Sequence, residues 1–343
     1  MLKVKKEGII LEKTNRSFEN DAVLNPACIQ DGNNVHMFYR AVKKGNNSTI
    51  GYCMLDGPLE VVKRSKKPVI TPRHHFERES IEDPRIVKIN ETYYLTYTAY
   101  NYLFACGAVA VSKDLIKFKK LGFITPKLSY KQFFELTSVH DKVNPKYYRF
   151  YDFYQPDLNK KLIVWDKDVV FFPKKINGNF VFLHRIKPEI QIVSVRNLKQ
   201  LQKTFWRKYT KNFANHIFMT AKYPHEASYI GAGCPPVETE AGWLVIYHGV
   251  YDGITGFVYN ACAALFDSKN IRKEIGRLKT PLFAPTKPWE RKGTIANVVF
   301  PTGTSLFNDR LYIYYGAADT HIAAASVKLQ DLLSELKKKS NRH

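Results

Sequence analysis

The side chains that could do chemistry in this chain stand in short clusters: Glu82-Asp83-Pro84-Arg85, Asp168 ahead of Val169-Val170-Phe171-Phe172-Pro173, Tyr247-His248-Gly249, and Asp319. Carboxylates brought together at one cleft can give and take protons. Asp83 precedes a proline, which is expected to hold the local backbone extended and so fix where its side chain points. A turn-capping carboxylate would look the same, because Asp before Pro is common in turns. No Gly-rich phosphate loop, HExxH helix or GxSxG elbow is present, so P-loop transfer, zincin and α/β-hydrolase chemistry find no support. The 21 Tyr and 22 Phe suit a channel in which rings stack on the apolar faces of sugars, although many of them must be core.

The elements that would position these residues repeat. A turn pair followed by an alternating run of Tyr, Val, Ile and Leu occurs five times, at Gly32 to Val42, Ile89 to Tyr100, Ile176 to Ile186, Glu240 to Val250 and Asn308 to Asp319. Each reads as the second strand of a tight hairpin. Aligning Tyr39, Tyr97, His184, Tyr247 and Tyr314 gives steps of 58, 87, 63 and 67 residues, each long enough for a four-stranded sheet and its loops. The fold expected is all-β: a single five-bladed β-propeller over 1–343 with a short C-terminal helix at about 327–339, where leucines at helical spacing precede Lys337 to Lys339. A β-sandwich would share the strand pattern but not the long period. The excess in the 87-residue step lies at about 125–165 and reads as an insertion over one face.

With 343 residues and 45% hydrophobic content, the chain can bury a sizeable core. Five singly placed cysteines, with no metal-ligand spacing, read as buried apolar residues in a reducing compartment. No secretory h-region or membrane-length apolar run is present. A cytoplasmic protein is expected, or a periplasmic one if a leader has been removed. The net charge of +22 is spread over many small groups, which reads as solvated surface rather than a nucleic-acid interface.

Several stretches in order resemble glycoside hydrolase family 130. They are Glu82-Asp83-Pro84-Arg85-Ile86 with Tyr93 to Tyr100, Gly231-Ala232-Gly233-Cys234-Pro235-Pro236 with Gly242 to Gly249, Asn297-Val298-Val299-Phe300-Pro301, and Tyr315 to Thr320. The resemblance runs from about Asn25 to Asp319. It implies a five-bladed propeller acting on β-mannosides, either as an inverting phosphorylase or as a hydrolase of β-1,2-linked manno-oligosaccharides. It places the catalytic acid on Asp83, acting through a sugar hydroxyl, and the mannosyl-binding residues on Asn25, Arg40, Arg85, Asp168 and Asp319. It calls for no metal and no cofactor beyond inorganic phosphate, with an oligosaccharide as partner. A homo-oligomer is compatible with it.

Two departures concern phosphate. Family phosphorylases carry a lysine where this chain has Tyr229, and an arginine where it has Asn260. His248 is retained and Arg185 is left to face the pocket; Tyr247 joins His248 among the candidate sugar contacts. A dianion in a partly dry pocket needs charge-assisted donors, so water becomes the expected nucleophile and inverting hydrolysis the expected reaction. That requires a base about 6.5–9.5 Å from the acid. Glu226 is the candidate base, with Glu238 the weaker one. Phosphorolysis using other cations, such as Lys222 or Arg207, is the alternative, and a non-catalytic carbohydrate- or polyanion-binding propeller is the third reading.

Overall fold

All five recurring segments form the second strand of an antiparallel four-strand unit in a computed structural model that describes residues 2–138, 143–149 and 162–338. The first unit comprises Ala22–Asp31, Asn34–Lys43, Asn47–Asp56 and Glu60–Arg64, and the second Ser80–Ile89, Thr92–Tyr100, Ala105–Ser112 and Lys119–Phe123. Lys167–Phe171, Phe180–Arg185, Ile190–Val195 and Ile217–Met219 make the third. In the fourth, Tyr229–Ala232, Gly242–Gly253, Gly256–Phe266 and Glu274–Arg277 are joined by a short strand, Val237–Thr239, on the second strand. The fifth takes Val299–Phe307, Arg310–Ala317 and His321–Lys328 from the end of the chain and its outer strand, Lys5–Leu11, from the beginning.

Neighbouring units are joined by isolated backbone links, among them Ser48 to Ser80, Cys106 to Asp166, Ile230 N to Pro188 O at 3.0 Å, and Tyr259 to Val298. The fifth returns to the first, where Thr302 Oγ1 donates to Pro26 O at 2.8 Å and Val23 N to Thr320 O at 3.2 Å. The first strands lie against one another in series, the fifth unit's on the first's, the first's on the second's, the second's on the third's and the third's on the fourth's. Separate apolar clusters fill the spaces between sheets; one holds Leu244, Ile246, Ile313 and Tyr315 with the terminal helix Leu329–Lys338. The described part of the expected insertion forms a helix, Tyr130–Thr137, whose Phe133 packs edge-on against Phe213; residues 139–142 and 150–161 of it lie outside the described residues. Among the described residues no helix is long and apolar enough to cross a membrane. All five cysteines are buried and free.

A buried polar device recurs with the units. In the first, Glu19 accepts from Tyr39 Oη at 2.7 Å and from Arg64 at 2.8 Å. In the second, Glu77 accepts from Tyr97 Oη at 2.6 Å and pairs with Lys120. In the fourth, Glu226 accepts from Tyr247 Oη and pairs with Arg277 at 3.3 Å. In the fifth, Glu290 accepts from Tyr315 Oη at 2.6 Å and pairs with Lys6 at 2.5 Å. Each carboxylate precedes a first strand, each tyrosine is on a second strand, and each cation is on an outer strand. One buried carboxylate therefore ties the full width of a unit. The third unit substitutes a different set: Asp166 receives His184 Nδ1 at 2.8 Å while His184 Nε2 meets Tyr209 Oη at 2.8 Å.

The four glutamates are fully buried, and a buried carboxylate that loses a donor bears the desolvation cost, typically about 1.5–3 kcal/mol for a charged group. Tyr97→Phe is expected to lower unfolding free energy by about that amount, read as a shift of the urea midpoint with the slope unchanged.

Candidate active site

The first strands of the first three units are each broken by a register shift, between Leu24 and Ala27, Glu82 and Arg85, and Lys167 and Val170. At each shift one residue adopts a positive φ: Asn25 at 50°, Asp83 at 49° and Asp168 at 55°. Asn and Asp enter the left-handed region more readily than other residues with a Cβ, and a bulge re-aims a side chain out of the strand's pleat. Asp83 is therefore not extended, as its following proline led one to expect; it is set by the bulge. Close packing completes the arrangement at Gly231, where a Cβ would stand 2.4 Å from the His248 ring and 2.5 Å from Asp168 Oδ2.

These residues line an open cleft of ≈ 390 Å³, within the roughly 300–1,000 Å³ usual for ligand sites. One sector is a carboxylate network. Asp83 Oδ1 accepts from Asn25 Nδ2 at 2.7 Å and lies 3.7 Å from Arg40. Glu82 holds Arg40 at 2.9 Å on one oxygen and Lys167 at 2.9 Å on the other. Burial alone would raise the Asp83 carboxyl, but Arg40, Lys167 and the Asn25 bond outweigh it and hold the group below its ordinary value. Asp319 lines the same sector. Burial pushes it up to about 6, with Asp83 and Glu82 adding to the rise against Arg40 and Lys167.

The other sector is cationic and aromatic. Arg185 Nε lies 2.8 Å from Asp168 Oδ2, an ion pair without hydrogen-bond geometry. The Arg185 guanidinium carbon is 5.2 Å from the centre of the Tyr229 ring, and the Tyr229 and Tyr259 hydroxyls are hydrogen-bonded to each other. His248 is fully buried behind this wall, 3.7 Å from Asp168. Burial, then Arg185, Arg85 and Lys187, hold its imidazole well below the usual value, so it is neutral. Among the described residues, Asn25 Oδ1, both Asp168 oxygens and both His248 ring nitrogens lack hydrogen-bond partners. Buried polar groups left this way in a cleft mark where a ligand's polar atoms belong.

Three expected site residues take other roles. Glu226 is not in the cleft: its oxygens are filled by Tyr247 Oη, Arg277 and the Lys222 amide at 2.7 Å, so it is the fourth unit's tie and not a base. Tyr247 is its partner and likewise does not line the cleft. Arg85 is fully buried and spends its guanidinium on backbone carbonyls, those of Gly233, Asp83 and Pro84, the last two at 3.1 Å. It supports the bulge that carries Asp83. Glu238, the weaker base candidate, pairs with Lys174 on the surface. Asn25, Arg40, Asp83, Asp168, Arg185, Tyr229 and Asp319 all line the cleft, joined by Glu82 and Phe300 from the quoted motifs and by Lys167, Lys187 and Tyr259, which the sequence reading left out. Potential metal ligands His225, Glu226 and Cys262 lie close together, but Glu226 is committed as above and burial keeps the Cys262 thiol protonated.

A family model described as β-1,4-mannooligosaccharide phosphorylase matches residues 5–338. The chain belongs to glycoside hydrolase family 130. A 1,2-β-oligomannan phosphorylase of Thermoanaerobacter sp. (strain X514) is 31% identical over 97% of this chain and 99% of that protein. The solved structure of a β-1,2-mannobiose phosphorylase from Listeria innocua, in complex with β-1,2-mannobiose, has a TM-score of 0.74 at 20% identity, covering 98% of this chain and 100% of that one. Another, described as showing that the family's mannoside phosphorylases include glycoside hydrolases that target β-1,2 mannosidic linkages in Candida mannan, has a TM-score of 0.73 at 20% identity, covering 96% and 94%. This member of the family is an enzyme, and family chemistry calls for phosphate as a co-substrate rather than a bound cofactor.

Two substitutions separate the roles. Glu226→Gln is expected to lower stability by about 1–3 kcal/mol while kcat stays within about twofold, measured by urea unfolding and initial rates. The folded-state value of Asp319 lies above its unfolded one, so its ionisation opposes folding; the cost is absent below pH ~4 and complete above the folded value of about 6. Asp319→Asn should therefore raise Tm at pH 7.5 but not at pH 4, while abolishing mannoside turnover.

Proposed function

We propose that the five units are the blades of a five-bladed propeller, a single catalytic domain, and that its cleft phosphorolyses β-1,2-linked manno-oligosaccharides to mannose 1-phosphate. The observation that carries this is the division of the cleft into an acid sector around Asp83 and a cation sector around Arg185 and Lys187. The expectation of hydrolysis rested on Tyr229 and Asn260 standing where phosphate-holding cations were looked for. Arg185 and Lys187 reach the cleft beside Tyr229, so the charge is supplied from another strand. The curated relative spanning nearly the whole chain is named a phosphorylase, which supports the same reading.

The division suits an inverting displacement. In the empty cleft Asp83 is ionised; a bound sugar removes water and an arriving phosphate dianion adds negative charge, and both raise its proton affinity. Asp83, protonated in the complex, gives its proton through a sugar hydroxyl to the glycosidic oxygen as the C1–O bond breaks. A phosphate oxygen forms the new bond to C1 from the opposite face. Hydrogen phosphate loses its proton as the ester forms, and that proton restores Asp83, so the cycle balances. Arg185 holds the phosphate by charge-assisted donors, and Asn25 Oδ1 and Asp168 accept from mannosyl hydroxyls.

The deciding experiment incubates β-1,2- and β-1,4-mannobiose with and without inorganic phosphate and measures mannose and mannose 1-phosphate. Mannose 1-phosphate from the β-1,2 substrate, only with phosphate, is expected; free mannose at the same rate without phosphate would establish hydrolysis instead. Asp83→Asn should lower kcat by about 10²–10⁴-fold with mannoside binding retained.

A further inference from the structure

We propose that Trp165, continued outward by the rings of Tyr100 and Tyr102, is a stacking platform at the mouth of the cleft that binds the leaving chain beyond its first sugar, so that the enzyme favours manno-oligosaccharides longer than a disaccharide. The inference rests on the reading of the cleft as a β-mannoside-cleaving site with Asp83 as its acid. It holds whether phosphate or water is the nucleophile.

Trp165 stands where the fold has no need of an indole. Val164 N donates to Leu128 O and Asp166 N to Ala105 O, both at 2.8 Å, which fixes the chain on either side. Val164 and Asp166 turn inward and are buried, whereas Trp165 turns outward and is 39% exposed, as the alternation of an extended segment requires. A polar side chain would serve the fold equally well there. The indole nevertheless lines the cleft, as does Tyr100 at the end of the second unit's second strand. The Tyr100 ring centre is 6.2 Å from that of Trp165 and 5.7 Å from that of Tyr102, each pair edge to face. Tyr102 is 69% exposed and has a φ of 58°, an outlier for a bulky residue. Its hydroxyl reaches the Glu79 carboxylate, so a ring that faces solvent is nonetheless held in place. Backbone strain of this kind concentrates at ligand clamps.

The platform lies on the side by which the leaving sugar departs. Lys167 Nζ is 5.4 Å from the centre of the Trp165 indole and 2.9 Å from Glu82 Oε2, and Glu82 is the chain neighbour of Asp83. Two polar side chains thus separate the acid from the indole: the first leaving sugar meets Glu82 and Lys167, and the next meets Trp165. Exposure rises in the same direction, since Asn25 and Asp168 at the mannosyl position are only 4% and 2% exposed. The terminal mannosyl unit is enclosed, and the rest of the chain leaves past the rings. Asn46 lines the cleft here too; its carbonyl accepts from Ser80 Oγ at 3.3 Å, and Ser80 lies opposite Tyr100 in the sheet. Rings take the apolar face of a sugar and an amide side chain its hydroxyls, a pairing that suits an oligosaccharide.

The test measures kcat/KM for manno-oligosaccharides of two, three and four residues, in the linkage the wild type cleaves and at saturating phosphate, for wild type, Trp165→Ala, Trp165→Phe and Tyr102→Ala. Wild type should gain about fivefold from two residues to four; Trp165→Ala should lose that gain with the disaccharide value within about twofold of wild type, and Trp165→Phe should keep part of it. Tyr102→Ala, a change on the surface, should lose only the step from three residues to four. No gain in wild type, a gain that persists in Trp165→Ala, or an equal loss on all three substrates overturns the platform while mannoside cleavage stands. Failure of wild type to cleave any member of the series overturns the reading of the cleft, and this inference with it. Should Trp165→Ala unfold, Trp165→Phe and Tyr102→Ala decide, and a wild-type dependence on chain length in both overturns the assignment.

Discussion

The carboxylate buried in each unit is the constraint from which the rest follows. A glutamate out of water needs compensating donors. In four units it finds them in a tyrosine of the second strand and a cation of the outer strand, which fixes the spacing of strands that otherwise share only backbone bonds. The same residue fixes where the first strand begins. Asn25 lies six residues after Glu19, and Asp83 six residues after Glu77, so the polar tie in the sheet and the polar residue in the cleft are set by one short stretch of chain. The structural acids and the chemical acids are thus neighbours in sequence with opposite duties. Those of the ties have their oxygens filled by the protein, and those of the cleft keep lone pairs for a ligand.

Within the cleft, charge is arranged by strand of origin. Asp83, of the second unit, sits among Asn25 and Arg40 of the first and Lys167 of the third. Glu82 holds Arg40 and Lys167 apart and in place. The result is an acid whose empty-state preference is to be ionised beside a second carboxyl, Asp319, whose preference is to hold its proton near pH 6. The two carboxyls thus depart in opposite directions, Asp83 held down by Arg40 and Lys167 against its burial, and Asp319 held up chiefly by burial despite the same cations.

Much of this was legible in the sequence. The five second strands and the terminal helix follow from alternation and leucine spacing, and most cleft residues follow from the motifs around Asp83, Asp168 and Asp319. Glu226 was misread because a carboxylate beside an altered anion position looks like a base until its partners are seen. A signal was available: Phe18-Glu19, Phe76-Glu77, His225-Glu226 and Trp289-Glu290 repeat a ring followed by Glu, and Glu19 to Tyr39 and Glu77 to Tyr97 are both twenty residues apart. Aligning Tyr314 rather than Tyr315 hid the fifth copy; Tyr314 bonds Ser305 and Pro58, and Tyr315 bonds Glu290. Lys187 carried no motif, because its reach into the cleft depends on where the third and fourth units meet.

The fifth unit's outer strand comes from the start of the chain, with Lys5 opposite Ser326 and Ile9 opposite Ala323, and Lys6 completes the tie at Glu290. In chain order that strand stands apart from the rest of its sheet, with the other four units between them. Until that sheet forms, Lys5–Leu11 is an edge with no strand to pair with. Joining ends this distant has an entropic cost that grows only slowly with length, about 0.6 kcal/mol per doubling. Pairing of Lys5–Leu11 with His321–Lys328 is therefore a contact between the most widely separated strands among the described residues, and it completes the fifth sheet.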